Sequence, residues 1–387
     1  MVKGARNRNL RRRRKRLRRT IAFSVVIIIA TALLFGTCYV ISVLSKFQHE
    51  DIDANSIGID KEKFVDSGTG ITNIALFGVD NDGTSDSIML LSVDKDRNKI
   101  KLISILRDSL VKVDPKNKTP YYTKLNEAYN SGGAETSLRA INKNYNLNVT
   151  EYASIKFDGM SKIIDKVGGI DINITKDEQN WINGLIASTK ELKTLSAGVE
   201  DFGNVHLNGA QAVAYSRIRK VSNQDGQSND YGRTDRQRAV MEQLLHKALS
   251  LKRSDYPAFI ESVVPYMKTS LSIGQIIDLA GILTRPGLVM EQTRVPMTEY
   301  TINADYDYYL NDTKKSTVYY NLTYAGDIIN AFIYEDITPQ DYMIDHPPIL
   351  TGGPLDNKNN SSSKEQSSNN TEAFSNSKNS SSSSKKN

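Results

Sequence analysis

Between Tyr215 and Arg238 the chain gathers five arginines in two groups, Arg217 with Arg219, and Arg233 with Arg236 and Arg238. Guanidinium groups this close together need an anionic partner, and their planar forks match phosphate or carboxylate oxygens. The other reading is a run of ordinary surface ion pairs, the common fate of charges on a helix. Each group falls at a helix end. Asn208-Gly209 reads as an N-cap, and the helix formers Ala210 to Tyr215 carry Arg217 and Arg219 to the C-terminal edge. A second helix is expected from about Gly232 to Leu251, with Arg233, Arg236, Gln237, Val240, Leu244, Ala248 and Leu251 on one face. Below its first turn that face is apolar and must meet a core. Arg233, Arg236 and Gln237 are therefore aimed inward, at a helix N-terminus whose free N–H groups favour an anion. Arg238 falls off the face and reads as a solvated charge.

A second set of reactive side chains shares one loop, where Asp80, Asp82 and Asp86 surround Asn81, Gly83, Thr84 and Ser85. Carboxylates so placed could hold a hard cation, since Mg2+ takes carboxylate oxygens together with water and phosphate oxygens. The spacing is not that of an EF-hand loop, and the same residue types are also ordinary turn chemistry. Arg107-Asp108 closes the strand that follows, either as a strand-end site or as a surface pair. His206 and His246 have no partner spaced for zinc. With Cys38 as the only cysteine and no Gly-x-Ser-x-Gly motif, a serine or cysteine hydrolase is disfavoured.

These groups need a scaffold, and the pattern around them alternates strand with helix. Strands are expected over Ile71 to Val79, Ser87 to Val93 and Lys99 to Leu106, then Tyr152 to Phe157, Ile170 to Ile174, Leu288 to Val295 and Thr317 to Leu322. Helices are expected over Glu135 to Tyr145 after a Gly132-Gly133 break, Gly159 to Val167, Tyr256 to Met267, Ile273 to Leu283 and Ala325 to Tyr334. The stretch from Thr175 to Val205 reads as irregular, with Trp181 either a core anchor or the rim of a groove. Together these predict an α/β fold, a central mixed β-sheet flanked by helices in one domain over 71–345.

The net charge of +6 is unevenly spread, because residues 1–19 carry eleven Lys or Arg and the tail from His346 carries five Lys against three acids. The body between them is net acidic, which argues against a nucleic-acid partner. Residues 20–45 contain no charge and are long and apolar enough for one transmembrane helix, an uncleaved anchor with the basic arm on the cytoplasmic side. That arm would also attract anionic membrane lipid. Residues 46–70 read as a stalk outside the cell, and 346–387 as a disordered Ser/Asn-rich tail. Cys38 lies within the apolar run, so no internal disulfide supports the outer domain.

In order along the chain, several pieces resemble the LytR-CpsA-Psr family of cell-wall glycopolymer ligases. They are Gly78-Val79-Asp80 with Ser85-Asp86-Ser87, Ser104-Ile105-Leu106-Arg107-Asp108, Lys124-Leu125-Asn126-Glu127-Ala128-Tyr129 with Gly132-Gly133, and Phe157-Asp158-Gly159 with Gly168-Gly169-Ile170-Asp171. Leu207-Asn208-Gly209, Tyr215-Ser216-Arg217-Ile218-Arg219 and Gly232-Arg233-Thr234-Asp235-Arg236-Gln237 complete the set. The resemblance implies an enzyme on the outer face of a Gram-positive membrane. Such enzymes move a glycopolymer, for example teichoic acid or capsule, from a polyprenyl-pyrophosphate carrier to the muramic acid 6-hydroxyl of peptidoglycan, with Mg2+, and hold the lipid in an apolar tunnel. It assigns Asp80 and Asp86 to the metal, and Arg107, Arg217, Arg219, Arg233, Gln237 and Arg236 to the pyrophosphate. Asp82 or Asp235 would be the base. Relatives often carry arginines where Asp82 and Thr84 stand here, and a proline in place of Leu106. Two rival readings are a non-catalytic polyprenyl-phosphate-binding scaffold and a membrane-anchored regulator. Hydrolysis of the carrier, with water as acceptor, is a possible side reaction.

Overall fold

The computed structural model describes residues 48–60, 70–252, 254–297, 301–310 and 313–348. In chain order, β1 (Gln48–His49), β2 (Ile71–Val79), β3 (Ser85–Asp94), β4 (Lys99–Ile105), β5 (Leu110–Val113) and β6 (Tyr121–Lys124) lead into α1 (Glu127–Tyr145). Next come β7 (Glu151–Lys156), α2 (Phe157–Lys166), β8 (Ile170–Ile174), α3 (Lys176–Ser188), α4 (Lys190–Leu195), β9 (Gly203–Leu207) and α5 (Gly209–Ser216). After them follow α6 (Asn229–Leu249), α7 (Tyr256–Val263), β10 (Met267–Thr269), α8 (Ile273–Leu283) and β11 (Val289–Val295). The last are β12 (Thr301–Leu310), β13 (Thr313–Tyr320), α9 (Leu322–Asn330) and α10 (Pro339–Asp345).

Seven strands form one mixed sheet in the order β1-β10-β7-β2-β3-β4-β11. Side chains alternate across it, as the two-residue strand period requires. Ala75, Phe77, Ile88, Leu90, Ile103 and Ile105 face one core, shared with Leu138 and Ile141 of α1 and Ile328 and Ile329 of α9. Ile74, Met89, Leu91, Val93, Ile100 and Leu102 face the other, toward Leu271 and Ile282. A third core joins Ile163 and Ile164 of α2, Ile182 of α3, Val213 of α5 and Val240 and Leu244 of α6. Helices thus cover both faces, because β3 is apolar on both sides and neither can face water.

Three expectations change. The stretch from Thr175 to Val205 is largely helical: Thr175 caps α3 by accepting from Glu178 N–H at 3.1 Å, while the Glu178 carboxylate accepts from Thr175 N–H at 2.7 Å. The start of the expected stalk is folded onto the domain, since β1 pairs with β10 and Ile57 is fully buried against α1. Asn142 of that helix donates to the Ile57 carbonyl at 3.0 Å. Finally, the Gly132-Gly133 break is a kink inside α1, with Gly133 at φ +67°, and not the helix start. The basic arm, the expected membrane anchor and the Ser/Asn-rich tail lie outside the described residues. Among the described residues no helix is long and apolar enough to cross a membrane.

Candidate phosphate-binding site

β2 and β3 are joined by a turn that Asp80 organises with its own side chain. Asp80 Oδ1 accepts from the backbone N–H groups of Asp82 and Thr84, both at 3.0 Å, and Oδ2 accepts from the Thr84 hydroxyl at 3.1 Å. Gly83 supplies the left-handed residue the turn needs, at φ +82°. Asp82 is exposed at its tip. The turn delivers Asp86 to the start of β3, where its carboxylate pairs with Arg107 at the end of β4. Gln237, in the second turn of α6, donates to the Asp86 carbonyl at 3.3 Å.

Arg107 is one of three arginines around a single acid. Asp230 Oδ1 lies 3.2 Å from Arg233, 3.5 Å from Arg219 and 4.0 Å from Arg107. Asp108 adds a carboxylate 3.5 Å from Arg107 and 3.3 Å from Lys124. Asp86, Asp108 and Asp230 thus face four cations, Arg107, Lys124, Arg219 and Arg233. Asp108 is pushed up, first by burial and then by its hydrogen bond to Asp230 and that group's charge. Burial alone would raise Asp230 as well, but the bond from Asp108 and the guanidinium groups of Arg233, Arg107 and Arg219 hold it below the usual carboxylate range. Within the pair Asp108 is thus the more readily protonated member and Asp230 the more acidic one. Burial lowers the Arg233 guanidinium to about 10, against the opposing charge of Asp230.

The cluster is incompletely bonded. Arg107 Nε, Arg233 Nε, Asp108 Oδ1 and Asp230 Oδ1 are buried atoms without a hydrogen-bond partner, although the Arg233 side chain is only 3% exposed. Buried polar atoms are nearly always bonded, and orphaned guanidinium N–H groups at a helix N-terminus are suited to an anion's oxygens.

For a metal, Asp80 and Asp86 present two carboxylates at either end of one turn. Among the described residues no three His, Cys, Asp or Glu side chains are grouped to hold an ion by themselves. Two carboxylates suit Mg2+ when phosphate oxygens and water complete its shell, so the donor set fits the ion together with a phosphorylated ligand.

Other sequence candidates are placed elsewhere. Arg236 is a correction: its guanidinium is fully buried and pairs with the equally buried Glu178 at 2.7 Å, with its remaining donors on the carbonyls of Ile218 at 3.1 Å and Val221 at 2.6 Å. Each of its three nitrogens is bonded to a protein oxygen, and the side chain is fully buried away from the cluster. Asp235, a candidate base, accepts from Arg294 at 3.1 and 3.0 Å and from Arg238 at 2.9 Å, so both oxygens already face guanidinium groups. Arg238 is bonded there and not simply solvated. Arg217 ends α5 exposed, its guanidinium 5.3 Å from the centre of the Phe157 ring. Trp181 lies half-buried on α3, lining a shallow cavity of about 330 Å3. Asp230 is the one member of the cluster with no signal in the sequence beyond being polar, whereas Asp108 stands beside Arg107 and Lys124 opens a quoted motif.

Beyond the arginines the helices are apolar but poorly buried. Among the described side chains α7 has no buried residue, and α8, with Ile273, Ile276, Ile277, Leu279, Ala280, Ile282 and Leu283, has only Ile282. Ile277 is 60% exposed. From Gln237 the same side of α6 continues to Met241, which is partly buried against the core of Ile74, Met89 and Leu91, as are Leu76, Leu279, Leu283 and Met290. Leu249, Leu283, Leu288 and Met290, with His246 and Arg285, line a cavity of about 330 Å3.

A mixed sheet with helices on both faces carries the arginine cluster at the ends of β3 and β4 and the start of α6. The LytR_cpsA_psr family model matches residues 39–323, and the chain belongs to that family. A polyisoprenyl-teichoic acid–peptidoglycan teichoic acid transferase TagU of Bacillus mycoides is 29% identical over 276 residues, covering 68% of this chain and 83% of the relative. The structure of TagT bound to LIIa-WTA superposes with a TM-score of 0.56 at 21% identity, over 74% of this chain and 99% of that one. The family protein YwtF (TagT) with bound octaprenyl pyrophosphate lipid gives 0.53 at 19% identity, over the same shares. At those identities the two structures establish the shared fold.

Proposed function

We propose that the chain transfers a glycopolymer from a polyprenyl-pyrophosphate carrier to peptidoglycan, forming a phosphodiester on the muramic acid 6-hydroxyl, at the outer face of the membrane that its N-terminal apolar run would span. The observation that carries this reading is the cluster of Arg107, Arg219 and Arg233 around Asp230, in which the buried Nε atoms of Arg107 and Arg233 have no hydrogen-bond partner. The teichoic acid transferase activity in a relative's name and the octaprenyl pyrophosphate bound to another point the same way.

Phosphoryl transfer asks a protein chiefly for position and charge neutralisation. In this reading the acceptor hydroxyl oxygen bonds to the glycan-bearing phosphorus while the bond to the carrier's bridging oxygen breaks, releasing polyprenyl phosphate. Arg107, Arg219 and Arg233 take up the charge that grows on the leaving phosphate, and Gln237 keeps Asp86 in register with them. Mg2+, held by Asp80 and Asp86, would neutralise phosphate oxygens when bound. The acceptor's proton needs a base; Asp82, at the turn tip, remains a candidate, and Asp230 is an ionised carboxylate within the cluster.

A metal-free, lipid-binding scaffold is favoured by one observation: the Asp80 carboxylate already accepts three hydrogen bonds inside its own turn. Both readings are tested with full-length protein, a labelled polyprenyl-pyrophosphate glycan and uncross-linked peptidoglycan, with and without Mg2+. Metal-dependent entry of label into peptidoglycan is expected. Lipid binding without transfer under any metal would sink the transferase reading in favour of the scaffold.

A further inference from the structure

A cavity of about 490 Å3 lies beside the Asp80 turn, where the C-terminal ends of β2 and β7 meet the start of α2 and the segment before β10. Its lining combines the Tyr129 and Tyr266 rings with Lys156, Asp158, Asp80 and Asn81. We infer that this cavity is the subsite for the acceptor sugar, a residue of a glycan strand, an inference that rests on the transferase reading above.

The chemistry of the lining suits a sugar. Pyranose rings present an apolar face of C–H groups and an equatorial rim of hydroxyls that both donate and accept. Two tyrosine rings supply apolar surface with a polar edge. Asp158 is exposed at the start of α2 and Lys156 at the end of β7, and neither makes a hydrogen bond or ion pair with another described side chain. A carboxylate accepts from hydroxyls and an ammonium donates to them, so the two together serve both sides of the rim. Tyr129 is already oriented, its hydroxyl donating to Ser154 Oγ at 3.1 Å. Gly159 is needed behind Tyr266: a Cβ there would stand 2.8 Å from the Tyr266 Cβ. The Phe157-Asp158-Gly159 motif thus has a use that the phosphate site does not explain.

The position separates acceptor from leaving group. Going outward from α6, Gln237 touches Asp86, Asp86 pairs with Arg107, and Asp80 at the far end of the turn lines the cavity. In-line displacement requires the attacking oxygen to arrive opposite the leaving one. In this assignment the acceptor sugar enters at the Asp80 end of the turn, and the leaving phosphate lies toward Arg107 and Arg233.

The test uses full-length protein in detergent micelles with tetra-N-acetylchitotetraose as probe, read by saturation-transfer NMR. Wild type is expected to saturate the probe, and Asp158→Asn and Tyr266→Leu to weaken binding about tenfold each, a 1.4 kcal/mol change. Circular dichroism confirms that both variants fold. In the transfer reaction the same variants should raise KM for peptidoglycan and leave KM for the lipid-linked donor and the release of polyprenyl phosphate to water unchanged. A rise in donor KM alone would place the donor's sugar in the cavity and overturn the assignment. Absent probe saturation in wild type, or equal saturation in the variants, would overturn it too. Failure of the transferase reading would look different: no label reaches peptidoglycan, yet probe binding is still lost in the variants, which supports a sugar subsite.

Discussion

Arg233 and Arg236 stand three residues apart on α6, both buried, and their surroundings differ completely. Arg236 is closed in by Glu178, Ile218 and Val221, each of its three nitrogens bonded to a protein oxygen. Arg233 shares one carboxylate, Asp230, with two other arginines, and its Nε has no partner. One arginine completes the structure and the other leaves an open valence. Burial of charge therefore does not identify a ligand site; unsatisfied buried charge does.

The largest expected effect tests the closed member. Arg236→Ala should destabilise the fold by about 3–5 kcal/mol, because it strands a buried Glu178 carboxylate. Chemical denaturation measures this, and Arg236→Met with Glu178→Gln should recover most of the loss. Little change in the single variant would mean that the pair is not dry. For the open member the order reverses: Arg233→Ala should keep its unfolding midpoint within about 1 kcal/mol, yet lose roughly 100- to 1000-fold in transfer rate. Were the variant to unfold at a much lower denaturant concentration, Arg233 would belong with Arg236.

A smaller effect concerns the proton between Asp108 and Asp230. The folded pKa of Asp108 is raised, so its contribution to stability is present below its unfolded value and declines as pH rises through the folded one. Ionisation also adds a negative charge beside the phosphates. Donor affinity should consequently fall as pH climbs above the ordinary carboxylate range, by about tenfold for each 1.4 kcal/mol of repulsion. Asp108→Asn should flatten that limb, and an unaltered profile would remove Asp108 from the site. The smallest effect separates the cap from the ion pair on Glu178: Thr175→Ala should cost about 1 kcal/mol, with transfer unaffected.

Much of this was legible from local pattern. The apolar alternation of β2, β3 and β4 and the shared inward face of Arg233, Arg236 and Gln237 follow from periods of two and 3.6 residues. The Thr175-x-x-Glu178 capping box was also present in the sequence, though its polar surroundings hid the helix. Periodicity says which way a side chain points, however, and not what it meets. Glu178 lies 58 residues from Arg236, and Asp230, in the first turn of α6, meets Arg107 at the end of β4 only through the fold. The same holds for Ile57, an apolar residue in a polar stretch whose burial depends on α1.

Sequence alone therefore determined the strands, the helix faces and the family motifs, since those depend on neighbours along the chain. The tertiary structure alone decided which buried arginine is satisfied, how burial beside Asp230 shifts Asp108 and where a cavity opens beside the Asp80 turn. Each of these is an electrostatic or steric balance among groups brought together only by folding.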